Sequence, residues 1–169
     1  MQTPAQTPNT MKLALAAEVL RSFGELTFVA RGSSMLPTIF PGDILVVSRE
    51  LAATVRCGHV VLVTRGGRFY AHRVVRKMNE GSRNVLITRG DALGDEDPAV
   101  PEYDLLGRVR VVVRGRKWIG LAEKPWTGQK LLQWAVRHSD DLAVLLLRWN
   151  SLRARIARAE ASEEFMECI

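Results

Sequence analysis

The run His59-Val60-Val61-Leu62-Val63-Thr64-Arg65-Gly66-Gly67-Arg68-Phe69-Tyr70-Ala71-His72-Arg73-Val74-Val75-Arg76 decides the fold. His59 to Thr64 is dense in β-branched and aliphatic side chains, which fit a pleated, buried surface. Gly66-Gly67 supplies a two-residue turn, where glycine accepts positive φ at no steric cost. Arg68 to Arg76 returns as the partner strand. The reading is an antiparallel hairpin.

Strand signals continue on both sides of it. Leu26 to Ala30 alternates and carries β-branched and aromatic residues, and Ile44 to Val47 is a short buried strand after the turn Pro41-Gly42-Asp43. Leu51 to Cys57 reads as a loop or a single helical turn. Downstream, Asn79 to Arg83 turns and Asn84 to Thr88 is another strand. Gly90 to Tyr103 is a long acidic loop, a kind that is uncommon unless functional or disordered. Gly107 to Arg114 is a strong strand, and Lys117-Trp118-Ile119 closes a last hairpin after Gly115. Strands joined by short turns predict a mainly β chain with a compact antiparallel β domain over residues 25–120.

Helical patterns flank that domain. Met1 to Thr10, rich in Thr, Pro and Gln, predicts a disordered tail. Asn9 or Thr10 is placed to cap a helix from Met11 to about Phe23, within residues 11–24. Its stripe of Leu13, Ala17, Leu20 and Phe23 is expected to pack on the domain, with a membrane-surface or partner helix as the alternative. From Thr127, over residues 127–160, Leu131, Ala135, His138, Leu142, Leu145, Trp149, Leu152 and Ile156 step by three and four, with Gln133, Arg137, Asp141, Arg148 and Arg155 off the stripe. Ser139-Asp140-Asp141 divides this stretch into two helices. The amphipathic pair either covers the β domain or meets an anionic membrane through its apolar face and Arg148, Arg153, Arg155 and Arg158. Ala159 to Ile169 is expected to fray, and no internal repeats occur.

The 169 residues suit one domain with terminal additions. A net charge of +6 favours acidic partners without choosing among nucleic acid, anionic lipid and acidic peptide. Cys57 and Cys168 form no Cys-x-x-Cys pair, and Cys57-Gly58-His59 is too sparse for a metal site, so no metal or cofactor is expected. Both cysteines read as free thiols in a reducing compartment, with one disulfide as the alternative. No segment has the about 20 apolar residues that span a bilayer, and the N-terminus lacks the order of a secretory signal. A cytoplasmic or peripheral-membrane location is the expectation.

Chemistry concentrates in Arg31-Gly32-Ser33-Ser34-Met35-Leu36-Pro37-Thr38-Ile39-Phe40-Pro41-Gly42-Asp43. Gly32 permits close backbone approach, and Pro37 and Pro41 restrict the chain around them, so Ser34 stands on a constrained turn beside a strand. A serine held in place suits a nucleophile, because its position need not be found during reaction. An ordinary turn is the plain alternative. A serine hydroxyl needs a base, and an unperturbed imidazole is largely neutral near pH 7, which makes His72 a candidate. The plain alternative for His72 is a half-buried strand histidine beside Tyr70 and Val74. The acids Asp91, Asp95, Glu96 and Asp97 are either a solvated loop or the source of a third group that orients the base.

Ser34-Met35-Leu36-Pro37-Thr38 with Gly42-Asp43 resembles the nucleophile box of the type I signal peptidases and their relatives, the LexA-like autoproteases of the S24/S26 superfamily. In these families the base is usually a lysine on a later strand. The matching stretch, Tyr70 to Val75, carries His72, similar to the branch found in archaea, some bacteria and the endoplasmic reticulum. Thr88-Arg89-Gly90-Asp91 and then Asp97 resemble the family's Thr-Lys-Gly-Asp box and its second aspartate. Gly107-Arg108-Val109 resembles its closing strand. The likeness covers about residues 25–114. It implies a signal-peptidase/LexA-like β fold with an N-terminal helix and C-terminal helices, and a serine endopeptidase with Ser34, His72 and Asp97 as triad. It also implies that Asp91 braces the site. The implied substrate is a signal or leader peptide on a protein or peptide, bound as an extended strand with small residues at the cut.

Two departures stand out. Some bacterial signal peptidases place a serine two residues before the nucleophile as an oxyanion donor, where this chain has Gly32. The oxyanion would then rest on the Ser34 N–H, with Ser33 in support. No stretch reads as the N-terminal membrane anchor usual in signal peptidases, and the expectation of none bears on export-signal cleavage more than on peptidase chemistry. Two other classes compete: a non-catalytic binding protein that keeps the fold, and a LexA-like self-cleaving regulator. The retained Ser34, His72 and Asp97 argue against the first. The stretch before Ser34 is too short for a helix-turn-helix domain, so no nucleic-acid partner is expected, while a short cleavable tail fits.

Overall fold

The computed structural model describes residues 8–80, 83–123, 127–139 and 141–153. In chain order come α1 (Pro8–Phe23), β1 (Glu25–Val29), β2 (Ile44–Ser48), β3 (Val60–Arg65), β4 (Arg68–Glu80) and β5 (Arg83–Arg89). Then follow β6 (Val100–Pro101), a 3₁₀ turn (Glu102–Asp104), β7 (Leu105–Arg114), β8 (Lys117–Gly120) and α2 (Thr127–His138). Residues 141–153 are also helical. The fold is mainly antiparallel β with an N-terminal helix and C-terminal helices, as the strand pattern predicts.

The hairpin forms as read. Gly66 and Gly67 both take positive φ, 54° and 73°, and Thr64 faces Phe69 across the ladder. The sheet runs β1-β2-β7-β3-β4-β5-β6, every pairing antiparallel. β7 is long enough to serve three neighbours: β2 lies along one side, and β3 and then β8 share the other. β4 pairs with β3 from Arg68 to Arg73 and with β5 from Arg73 to Glu80.

β3 explains why its apolar residues are continuous rather than alternating. Val60 and Leu62 pack with Leu20, Met35, Ile39, Leu45, Val47, Val109 and Val112, while Val61 and Val63 pack with Val55, Val74, Leu86 and Val100. Both faces of the strand are therefore covered. Each such side chain stabilises the fold by roughly 1.5–3 kcal/mol on burial. Helix α1 covers the first cluster through Ala16 and Leu20 and packs against β1, β4 and β7. Gly24, at φ 73°, ends it by donating its N–H to the Leu20 carbonyl at 3.0 Å.

Several boundaries differ from expectation. α1 begins at Pro8, inside the predicted tail; proline suits a first helical turn, which has no use for its missing N–H. The rest of the tail, 1–7, lies outside the described residues. Phe23, placed on the packing stripe, is 80% exposed. β4 runs on to Glu80, because its second half gains β5 as a partner, with Glu80 opposite Arg83. The acidic loop is shorter than predicted, since Val100–Pro101 adds as β6 beside Leu86 and Val85.

The C-terminal helices depart furthest. Ser139 divides them as predicted: its hydroxyl and carbonyl accept the N–H groups of Leu142 and Ala143, both at 3.3 Å. The face turned to the β domain, however, carries Gln133, Val136, Leu142, Ala143, Leu146 and Leu147, packed near Leu36 and Phe40. Leu131, Leu145, Trp149 and Leu152 of the predicted stripe are exposed. The stretch is apolar on more than one face, so periodicity alone selects the wrong one. The predicted fraying of 159–169, like Cys168, lies outside the described residues. Cys57 is a free, exposed thiol.

Candidate active site

The Ser34 turn is tied down from several sides. Leu36 donates its N–H to the Ser33 carbonyl at 3.1 Å, and Thr38 and Ile39 donate theirs to Met35 O at 2.9 Å. Met35, Leu36 and Ile39 are buried beneath it. At its end Asp43 accepts the Phe40 N–H at 2.8 Å and forms a two-point ion pair with Arg114 at 2.9 and 2.7 Å. Arg114 also donates to Thr38 O at 3.1 Å and lies over the Phe40 ring. A planar guanidinium with several donors can close a loop in this way, where an ammonium would not span the same acceptors.

β4 delivers His72 to this turn. His72 Nε2 lies 3.0 Å from Ser34 Oγ, and Nδ1 lies 2.6 Å from Asp97 Oδ2. An ionised carboxylate only accepts, so Nδ1 carries the hydrogen and Nε2 is left to accept from the serine hydroxyl. The ring is 3% exposed, which keeps it in one orientation. Asp97 is held in turn. Its N–H donates to Thr88 O at 2.8 Å, Oδ2 accepts from Thr88 Oγ1 at 2.7 Å, and Arg65 reaches Oδ1 at 3.4 Å and Pro98 O at 2.9 Å. Burial works to raise the Asp97 pKa, but the hydrogen bonds from His72 and Thr88 and the His72 and Arg65 charges outweigh it and hold the carboxyl below its ordinary value.

Asp91 occupies the other end of the same loop and does not reach His72. Arg73 grips it at two points, both 2.8 Å, and Thr38 Oγ1 donates to it at 2.5 Å. Arg73 further donates to the carbonyls of Gly58 and Ala122. Asp91 thus joins the serine turn to the strand residue beside His72. The loop also touches the nucleophile directly. Ala92 donates its N–H to Ser34 O at 2.9 Å, and a Cβ on Gly90 would come within 2.5 Å of that oxygen. Only glycine allows this approach.

The five sequence-predicted site residues therefore fall into three groups. Ser34, His72 and Asp97 form one hydrogen-bonded chain, and Asp91 lies buried behind them as a brace. Ser33 is exposed, and its carbonyl closes the turn. The Ser34 N–H makes no backbone hydrogen bond among the described residues and is free for a ligand oxygen. Sequence reasoning missed Thr88, Arg65, Arg73, Asp43 and Arg114 as supports. Thr88 and Arg73 adjoin recognised boxes, so their position was a signal; Arg114 is distant in sequence and gave none.

Ser34 and His72 open into a groove of about 660 Å³, walled by Phe28, Ala30, Ile39, Leu45 and Phe69. Phe28 of β1 and Phe69 of β4 meet edge to face across it, with centroids 5.0 Å apart. Two strand edges border the groove. Among the described residues β1 pairs only with β2, and Arg68–His72 has no strand on the side that β5 occupies from Arg73 onward. Lys12 and Arg68 add positive charge to the rim. No helix among the described residues is long and apolar enough to cross a membrane.

No curated protein matches the chain. The family model for Peptidase S24-like proteins matches residues 2–109, from the N-terminal helix through the first half of β7, and so takes in Ser34, His72, Asp91 and Asp97. With the antiparallel β fold and a serine on its fixed turn, that match assigns the chain to the Peptidase S24-like family and to the serine-type peptidases.

Proposed function

We propose that the protein is a serine endopeptidase that removes a signal or leader peptide from a protein or peptide substrate, by a mechanism like that of the histidine-bearing signal peptidases. The supporting observation is the continuous chain Ser34 Oγ–His72 Nε2, His72 Nδ1–Asp97 at 3.0 and 2.6 Å, opening on a groove between two free strand edges. An extended peptide adds to such an edge through its main chain, and the apolar walls receive alternate side chains. Ser34 Oγ attacks the scissile carbonyl while His72 takes its proton. Asp97 stabilises the imidazolium, and the Ser34 N–H faces the developing oxyanion. His72 then returns the proton to the leaving amine, and water hydrolyses the acyl-enzyme by the same exchange. The decisive experiment sets the purified protein and its Ser34→Ala form against a panel of leader-bearing peptides. Cleavage by the first and none by the second is the expected result; cleavage by neither removes the leader-peptide reading.

The family match favours one second reading, self-cleavage of the LexA-like kind. It predicts first-order shortening of the chain at a rate independent of protein concentration, and no turnover of added peptides. For the C-terminal helices we propose peripheral contact with an anionic membrane. Leu131, Leu145, Trp149 and Leu152 are exposed beside Arg148 and Arg153, a pairing of apolar anchors with cations that suits a lipid surface. Flotation with anionic and neutral vesicles tests it, and no binding to either leaves these helices a packing role.

A further inference from the structure

A second concave site lies behind the brace. α2 sets Gln133, Trp134 and Arg137 opposite Arg73, Arg89 and Asp91, enclosing a cavity of about 350 Å³. Its charges do not balance. Asp91 supplies the carboxylate, but both of its oxygens are taken by Arg73 and Thr38. Among the described residues the Arg89 side chain makes neither an ion pair nor a hydrogen bond, although its backbone pairs with Arg73 in the sheet. Arg137 donates one N–H to the Asp91 backbone carbonyl at 3.3 Å, while its Nε is buried with no partner. A buried donor left without a partner destabilises the fold, more so when charged, so a ligand that accepts from it recovers that penalty. Burial and the nearby Arg89 charge push the Arg137 guanidinium below its ordinary value, with Asp91 opposing. Two guanidiniums facing one cavity is the arrangement an anion would relieve.

We propose that this cavity is a binding site for a phosphate-class oxyanion, held between Arg89 and Arg137. Guanidinium forks match phosphate oxygens in geometry, and a phosphate monoester carries about −1.5 to −2 charge near neutral pH, which suits two cations better than a single carboxylate does. Gln133 offers a further polar group on the wall, and Trp134, 57% exposed and stacked on His138, stands at the rim as an apolar shoulder. The phosphate can come from a soluble phosphate compound or from a lipid headgroup. The site is separate from the groove that holds Ser34, so binding is measurable without any cleavage assay.

The test uses the full chain in two arms. Calorimetric titration with inorganic phosphate, at constant ionic strength and against chloride, reads the soluble source. Flotation with phosphatidylglycerol vesicles, against phosphatidylcholine alone, reads the lipid source. Arg89→Gln and Arg137→Gln should each weaken binding at least about tenfold, the loss of one charge-assisted contact. Arg89→Lys should keep part of it, and circular dichroism should show all variants folded. Saturable binding in the first arm that falls in the variants supports the site with a soluble ligand; binding only in the second arm, falling in the same way, supports a headgroup. No saturable binding in either arm overturns the proposal, as does binding that folded Arg89→Gln and Arg137→Gln proteins retain in full.

Discussion

Asp97 and Asp91 leave the same loop and end in unlike surroundings. Asp97 meets an imidazole, a hydroxyl and a distant guanidinium, partners that leave its charge free to respond when His72 gains a proton. Asp91 meets a guanidinium at two points and a threonine hydroxyl, and is closed off. The same functional group thus faces a titratable ring in one place and a permanent cation in the other. What separates them is whether the partner can change its protonation state: a histidine can, an arginine cannot.

The largest expected effect removes the hydroxyl that this comparison serves. Ser34→Ala should lower kcat by a factor on the order of 10⁶ while the melting temperature stays within a few degrees, measured on a cleavable leader peptide. Asp97→Asn should cost a factor on the order of 10² to 10⁴ in kcat, because the imidazolium loses its counter-charge and the tautomer is no longer set. Asp95→Asn, at an exposed loop position, should be silent. If a stable Asp91→Asn protein is dead while Asp97→Asn is silent, the two roles are exchanged.

Asp91→Asn should instead be read in stability. It leaves Arg73 buried without its counter-charge, at a cost of about 3–5 kcal/mol, and urea unfolding should show it. Asp97 also carries a pH signature. Its carboxyl is held below its ordinary value in the fold, so the stability it contributes is fully present above the ordinary carboxylate range and is lost as pH falls through the depressed value. Asp97→Asn should therefore flatten the acid limb of the unfolding curve, and an unchanged limb would show that this pairing is not linked to folding. Among the changes expected to have an effect, the smallest is that of Gly90→Ala. Its new Cβ would stand 2.5 Å from Ser34 O, so the serine turn must shift, at about 1–3 kcal/mol, with kcat falling more than KM rises.

Much of this was legible beforehand because it is local. A strand is announced by its own residues, and β3, β4 and β7 came out where their β-branched runs lie. The Gly66-Gly67 turn was legible because its φ angles admit few other residues. Ser34 was legible from its prolines and glycines. His72 and Asp97 were singled out by resemblance to family boxes, since spacing along a chain does not place two side chains within hydrogen-bond reach.

The amino-acid sequence by itself determined the strand-rich domain, the hairpin, the Ser139 boundary between the C-terminal helices and the short list of reactive side chains. Resemblance to the family boxes favoured Asp97 over Asp91 as the partner of His72, and only the tertiary structure supplies the contact itself, because that depends on where β4 and the serine turn stand relative to one loop. Only the tertiary structure turned Gln133 and Arg137 inward and left Leu145 and Trp149 exposed. The helix period offers several apolar faces, and the shape of the surface around Leu36 and Phe40 selects which of them is covered. The distant supports follow the same logic. Arg114 holds Asp43 across the sheet at 2.7 Å, a contact made by the register of β2 on β7 and by nothing in the neighbourhood of either residue in the chain.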